Sequence, residues 1–420
     1  MEPLVAAVRS GDARAVDALL EAGADPETAD EFGTSATSAL CLAVDAFDLR
    51  IVEALVAASR LDRAAADGRT PLLRAIDRGA FDITDALILH GAALWATDSE
   101  GLDALALARH WHETDANAEL RRRSGQLGPV ECGTVRSESG TTCEELSLGG
   151  LTVRTGHTAI LTALEPRYGI TPSFGELLSR ALAEPDVDHE VWWATTSALQ
   201  QRHDPAVWDE AAALRDRADP LTRYFGAEVL RVINLFDESD GLRFDAPLVD
   251  MFLPWVAEEP DPRVTRVLTA GLADAQDLRA EAPLPALTRH VDGKVRQLAV
   301  SGLRRAAGAE SPNALAALVE RTEDEEVAVR QAACTALACA PSHAEGASEA
   351  LAACLTDPDR GVRVEAAARL ALRGDPRGDE VLRGLDATDE DSPYYWLLRD
   401  VHRYRTPVGR GTPTEALGHK

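Results

Sequence analysis

Lysine is almost missing from this chain. Of its 43 Lys+Arg residues only Lys294 and Lys420 are lysines. That usage, with abundant alanine, reads as a GC-rich bacterial genome rather than a functional choice. Aromatic residues make up 5% of the sequence and there are only 2 methionines. Alanine therefore supplies much of the 45% hydrophobic content, which favours closely packed helices over sheets. Cations are outnumbered: the formal net charge is −27, from 70 Asp+Glu. A field of that sign repels polyanions and argues against a protein that coats nucleic acid or an anionic membrane. Long apolar runs are lacking too. The longest mostly apolar stretch, Ile83 to Ala96, contains Asp85 and His90 and is too short to span a bilayer. The opening MEPLVAAVRSGD has no apolar core and does not read as a signal peptide. Six cysteines are scattered through the 420 residues, three of them (Cys334, Cys339, Cys354) in alanine-rich helical sequence, where a free thiol acts as a small core residue. These features lead to the expectation of a soluble, reduced, cytoplasmic protein.

The strong enzymatic signatures are also absent: no P-loop, G-x-S-x-G, H-E-x-x-H or zinc-type C-x2-C pair occurs. No catalytic residue, cofactor or metal ligand is assigned. His110 and His112 are two apart, which on a helix places them on different faces. Cys132 and Cys143 could approach across a hairpin, but as a metal clip their ligand count is incomplete. The acidic stretch Asp237 to Asp240 misses the EF-hand spacing and reads as a solvated insertion.

What is present is repetition. A Leu-x-x-Ala element recurs at Leu4/Ala7, Leu40/Ala43, Leu72/Ala75 and Leu105/Ala108, and a second leucine follows each first one by 15 residues (Leu19, Leu55, Leu87, Leu120). Two short helices per unit explain the constant offset. Asp/Gly-rich turns separate the units. Thr70-Pro71-Leu72-Leu73-Arg74-Ala75 and Leu19-Leu20-Glu21-Ala22-Gly23-Ala24-Asp25 make this part resemble ankyrin repeats, four units over residues 1–125.

The second half has a different anchor. Val191…Leu199, Thr222…Leu230, Val264…Leu272, Val295…Leu303, Val329…Leu337 and Val362…Leu370 are i/i+8 pairs, most of them preceded by an Asp-rich turn. In an Asp-Pro pair such as Asp357-Pro358, proline suits the first helical turn. With Val362-Arg363, Ala366 and Leu370 this is similar to HEAT repeats of the short bacterial type found in phycobilin lyases. Six units plus capping helices are expected over 156–404. Residues 126–155 break the helical pattern and read as a β-hairpin closed by Gly149-Gly150, and 405–420 as a disordered tail. The expected fold is thus all-α: two tandem α-solenoids, ankyrin then HEAT, joined by a short β-hairpin segment. The combination resembles actinobacterial ankyrin–HEAT proteins, a resemblance that brings no activity with it.

Candidate partner-binding residues follow from the repeat types. The ankyrin resemblance implies binding through hairpin tips and first helices, here Phe32, Asp67, Arg69, Arg74, Arg78 and Trp95. In the second half the pairs Trp192/Trp193 and Tyr224/Phe225 stand out. Adjacent residues on a helix cannot all face the core, so one of each pair reaches a groove unless the aromatics seal the solenoid end. The HEAT resemblance implies that Arg296, Arg330 and Arg363 pair with turn aspartates of neighbouring repeats, which suits a planar guanidinium. Arg304, Arg305, Arg360 and Arg373 are then freer to meet a ligand.

The expected function is a non-enzymatic interaction scaffold. One rival resembles HEAT-like DNA alkylation glycosylases, through Trp192, Trp193 and Asp188; the net charge of −15 over 181–420 is wrong for holding DNA. Another is a tetrapyrrole-handling, lyase-like protein, suggested by repeat type alone. If the repeated arginines are engaged internally, the charge left over is acidic. One or two protein partners with basic surfaces are therefore expected, held by salt-sensitive contacts, with no nucleic acid and no membrane.

Overall fold

The computed structural model of the chain describes residues 2–30, 37–239, 242–385 and 392–405. Its first eight helices form four pairs: α1 (Pro3–Ser10) and α2 (Ala13–Glu21), α3 (Ala39–Asp45) and α4 (Leu49–Val56), α5 (Pro71–Asp77) and α6 (Phe81–Leu89), α7 (Ala104–His112) and α8 (Ala116–Ser124). The sequence dictates where these helices start. Thr70 caps α5 by accepting from Leu73 N, with Pro71 in the first turn. Ser38 and Asp103 do the same for α3 and α7, so the second and fourth units keep the capping function without the Thr-Pro element, whereas Glu2 before α1 makes no side-chain cap. Aspartates cap three of the four second helices: Asp12, Asp48 and Asp115. The recurring leucines Leu4, Leu40, Leu72, Leu105, Leu55, Leu87 and Leu120 are buried in one core. A short ladder, β1 (Ala29–Asp30) with β2 (Thr37–Ser38), flanks the first turn. Phe32 lies outside the described residues.

Residues 126–155 form a three-stranded antiparallel sheet rather than a hairpin: β3 (Glu131–Arg136), β4 (Thr142–Leu148) and β5 (Leu151–Arg154), in that order. Gly149 and Gly150 do not close the segment. Both take positive φ and turn the chain so that Leu148 pairs with Leu151 across a two-residue loop. The sheet is more than a linker, because Leu146, Leu148 and Val153 enter the core of the eight preceding helices. Helix α9 (His157–Leu164) enters the same core through Ile160, Leu161 and Leu164.

The remaining helices follow the second repeat: α10 (Phe174–Leu182), α11 (Glu190–Gln200), α12 (Pro205–Ala212), α13 (Pro220–Leu235), α14 (Asp245–Glu258), α15 (Pro262–Asp274), α16 (Leu284–Leu287), α17 (Gly293–Gly302), α18 (Arg304–Gly308), α19 (Pro312–Arg321), α20 (Val327–Leu337), α21 (Glu345–Ala353), α22 (Arg360–Leu372), α23 (Asp379–Leu382) and α24 (Tyr395–Arg405). Five of the six anchor pairs fall within the second helix of their unit, and in the sixth Leu303 is the C-cap of α17; α15, α17, α20 and α22 pack in succession. Two compact units result, Met1–Val229 and Leu230–Lys420. Their division falls inside α13, away from the change of repeat type.

Candidate functional site

In the first unit a buried charge cluster ties the fourth helix pair to α9. Asp77 accepts from Arg69 Nη1 at 2.6 Å, from Arg123 Nη1 at 2.8 Å and from Trp111 Nε1 at 3.0 Å. Burial would raise the Asp77 carboxyl, but the Arg123 hydrogen bond, with Arg69 and Trp111, outweighs it and holds the group below the usual carboxylate range. The Arg123 guanidinium also lies 4.7 Å over the Trp111 ring, whose other neighbour is the parallel imidazole of His157. Two glycines permit this close approach. A Cβ on Gly79 would stand 2.0 Å from Arg154 O, and one on Gly156 would stand 2.4 Å from Gly79 O.

The candidate cations of the ankyrin part are engaged by carboxylates of the chain itself. Arg69 is on Asp77. Arg74 joins Asp45 at 2.8 Å to Asp67 at 2.5 Å, and Arg78 reaches Asp45 and the carbonyl of Thr152. These residues brace first helices to one another and to the sheet. Trp95 is 67% exposed and leans on Tyr168, with ring centroids 4.3 Å apart.

In the second unit the repeated arginines form a ladder through the turns. Arg266 meets Asp292, Arg296 meets Asp324, and Arg330 meets Asp357, each through two nitrogens. Arg296 and Arg330 also donate to two carbonyls of their own preceding turn, His290/Val291 and Asp324/Glu325. Arg363 keeps those turn bonds, to Asp357 and Pro358, and no ion pair joins it to a turn aspartate of the next unit among the described residues. The paired aspartates do double duty, since Asp292 also caps α17. The Arg266 hydrogen bond holds the Asp292 carboxyl below its ordinary range.

The other four arginines divide. Arg373 is consumed, donating to the carbonyls of Ala340, Pro341 and Ala344 at the end of the α20 turn. Arg305 is on Glu281 at 2.5 Å and on the carbonyl of Gln276. Arg304 is exposed and has no hydrogen-bond or ion-pair partner among the described residues. Arg360, also exposed, makes only a cation–π approach to Tyr394, at 5.9 Å. Both line a groove of about 720 Å³ across α17, α20 and α22, walled at one end by Tyr394 and Leu397. Its floor has a repeating polar pattern. Gln297 and Gln331 stand two residues after their anchor valines, and Ser301 and Thr335 six residues after. Sequence reasoning missed these four, although the anchor register contains the signal.

The aromatic pairs also divide. Trp192 is 2% exposed and donates from Nε1 to Glu184 O, and Phe225 is fully buried beside it. Both face the core because α11 and α13 pack there, so neither offers a surface to a partner. Trp193 is 40% exposed, and Tyr224 is half-buried against Trp192 with centroids 5.2 Å apart. Cys132 and Cys143 do not meet: the β3–β4 register places Cys132 opposite Leu146 and Cys143 opposite Val135. His110 and His112 diverge as helical spacing requires, and His112 Nδ1 lies 3.0 Å from Thr158 Oγ1. No group of three or more metal-ligating side chains converges among the described residues.

Helix pairs stacked in series, with ion pairs spent inside the turns and an open groove across successive second helices, define a repeat protein. Comparison with known families specifies the repeats. Residues 3–110 match ankyrin repeats in three copies, and residues 315–395 match HEAT repeats. The chain therefore joins ankyrin repeats to HEAT repeats in one polypeptide. The X-ray structure of YibA from Escherichia coli is similar over 50% of this chain and 75% of its own, at 16% identity and a TM-score of 0.40. No curated protein matches the chain. Both repeat families are generally protein-interaction modules.

Proposed function

We propose that the chain is a non-enzymatic scaffold whose two repeat types each offer a surface to a protein partner. The carrying observation is the separation of labour among the arginines of the HEAT part. Ladder arginines are bound in the turns, whereas Arg304 and Arg360 stand in the groove without an ion-pair partner among the described residues. A groove lined from three successive units suits an extended segment, with Gln297 and Gln331 presenting amides to its backbone and the two arginines meeting its carboxylates. On the ankyrin part the balance is reversed. Its candidate cations Arg69, Arg74 and Arg78 are engaged by carboxylates of the chain, while Asp17, Glu53 and Asp85, at equivalent positions of three successive second helices, are exposed and carry no ion-pair partner among the described residues. That face suits a basic surface. Binding there weakens with added salt.

Affinity capture from the native host with the full chain tests the reading. Arg304→Glu with Arg360→Glu should lose one set of partners, and Asp17→Lys with Glu53→Lys and Asp85→Lys another. Retention of every partner by both variants would contradict it.

A further inference from the structure

The first unit holds a second cavity, of about 280 Å³, where the sheet meets α4, α6 and the start of α11. Its wall carries seven charged side chains: Asp48, Arg50, Asp82, Arg136, Glu138, Arg154 and Glu190. The three arginines are all matched. Arg50 donates to Glu138 at 2.6 Å. Arg136 donates to Gly140 O at 2.5 Å and lies 3.6 Å from Asp188. Arg154 reaches Glu145 at 3.3 Å and Asp82 at 4.0 Å, and lies 4.2 Å over the Phe47 ring. Glu190 is the exception. It is 5% exposed and lines the cleft; its Oε1 is buried against Gly156, where a Cβ would stand 2.0 Å away, and has no hydrogen-bond partner among the described residues. An anion entering the cleft would compete for guanidinium groups already taken, whereas a cation would find an unmatched carboxyl.

We propose that this cleft binds an organic cation, a guanidinium or primary ammonium head on an alkyl stem, with Glu190 as its buried counter-ion and Asp82 beside it. A metal ion fits less well, since no third ligand converges with these two carboxyls among the described residues. The stem lies against Phe47, whose ring forms part of the wall. Phe47 holds a left-handed backbone, φ 55°, at the turn position that glycine fills in the neighbouring units, Gly11 and Gly79. A strained residue with its ring in a cleft wall fits a binding role. The head group comes either from an arginine or lysine side chain of a partner or from a free amine, and the two are separable by experiment.

Binding is coupled to a proton. Burial, helped by Asp82 and opposed by Arg154, pushes the Glu190 carboxyl well above its ordinary range. The groups facing it are Asp82 on α6, Arg154 on β5 and Cys143 on β4. The Cys143 thiol is pushed up to about 12, by burial first and by Glu190 next, and stays neutral. A bound cation favours the ionised carboxylate and displaces its proton to solvent. Affinity therefore rises with pH until the free cleft is itself ionised, by up to tenfold per pH unit, about 1.4 kcal/mol.

The test is calorimetric titration of the full chain with N-acetyl-arginine amide and with agmatine, from pH 6 to pH 8.5. Expected are saturable binding of at least one probe, tenfold or greater weakening in Glu190→Gln, loss of the pH dependence in that variant, and weakening in Asp82→Asn. Preference for the amide points to a partner's side chain, and preference for agmatine to a free amine. Should Glu190→Gln not fold, Asp82→Asn and the wild-type pH profile decide. Absence of binding to both probes at 20-fold excess over millimolar protein, a flat pH profile, or unchanged affinity in the folded variants would overturn the proposal.

Discussion

Trp111, near the end of the fourth first-helix, lies flat on His157, the first residue of α9, with ring centroids 4.4 Å apart and planes 6° apart. The stack joins the ankyrin helices to the first helix beyond the sheet. Burial pushes the His157 imidazole down to about 4. An unfolded histidine titrates near 6.5, so between those values the unfolded chain binds a proton that the folded chain refuses. The contribution to stability is whole above pH ~6.5 and falls as pH drops toward 4, by about 3 kcal/mol at most. His157→Phe keeps the stack and removes this slope. Urea unfolding at pH 7.5 and 4.5 checks it, with the variant losing less than the wild type on acidification.

Asp77→Ala should lower stability by about 3–5 kcal/mol, because it leaves Arg69 and Arg123 without their shared buried carboxylate. Asp77→Asn keeps part of the hydrogen bonding and should lose less. Denaturant midpoints of the two variants decide the order, and an alanine variant as stable as wild type would deny the cluster its bracing role.

Arg330 and Arg304 sit on neighbouring units with different employment. Arg330→Ala should destabilise by about 3 kcal/mol, since it frees the Asp357 carboxylate and two turn carbonyls. Arg304→Ala should stay within about 0.5 kcal/mol of wild type, as an exposed side chain without hydrogen-bond or ion-pair partners among the described residues. Paired unfolding curves measure the contrast.

Glu190→Gln should stabilise the fold, and increasingly so as pH rises. The unfolded glutamate ionises near 4.3, while in the folded chain burial keeps the proton on. Every pH unit above that value therefore costs the wild type up to about 1.4 kcal/mol that the amide does not lose, until the folded carboxyl ionises. Thermal midpoints at pH 5 and pH 8 should be close at the first and separated at the second.

Much of this was legible in the sequence. The Leu-x-x-Ala period and the i/i+8 anchors located helix pairs because both patterns mark residues that must be buried in every unit. The HEAT resemblance implied the ladder, and Arg296 and Arg330 make it; Arg363, expected to do the same, bonds only the carbonyls of its own turn among the described residues. The third strand was not legible, because Gly149-Gly150 serves equally to end a hairpin or to turn into another strand. Nor was the direction of Trp192 and Phe225, which depends on how α11 and α13 pack. Glu190 gave no signal at all. An acid beside an anchor valine is ordinary, and only the fold reveals that its buried Oε1 has no hydrogen-bond partner among the described residues.

In the proposed function, ladder arginines hold the HEAT stack while groove arginines hold a partner. Quantitative capture with wild type, Arg304→Glu/Arg360→Glu and Arg330→Ala, each at matched folded concentration, tests it most directly. The groove variant should lose partners at unchanged stability, and Arg330→Ala should lose stability but keep partners while folded. Undiminished capture by the groove variant would contradict it.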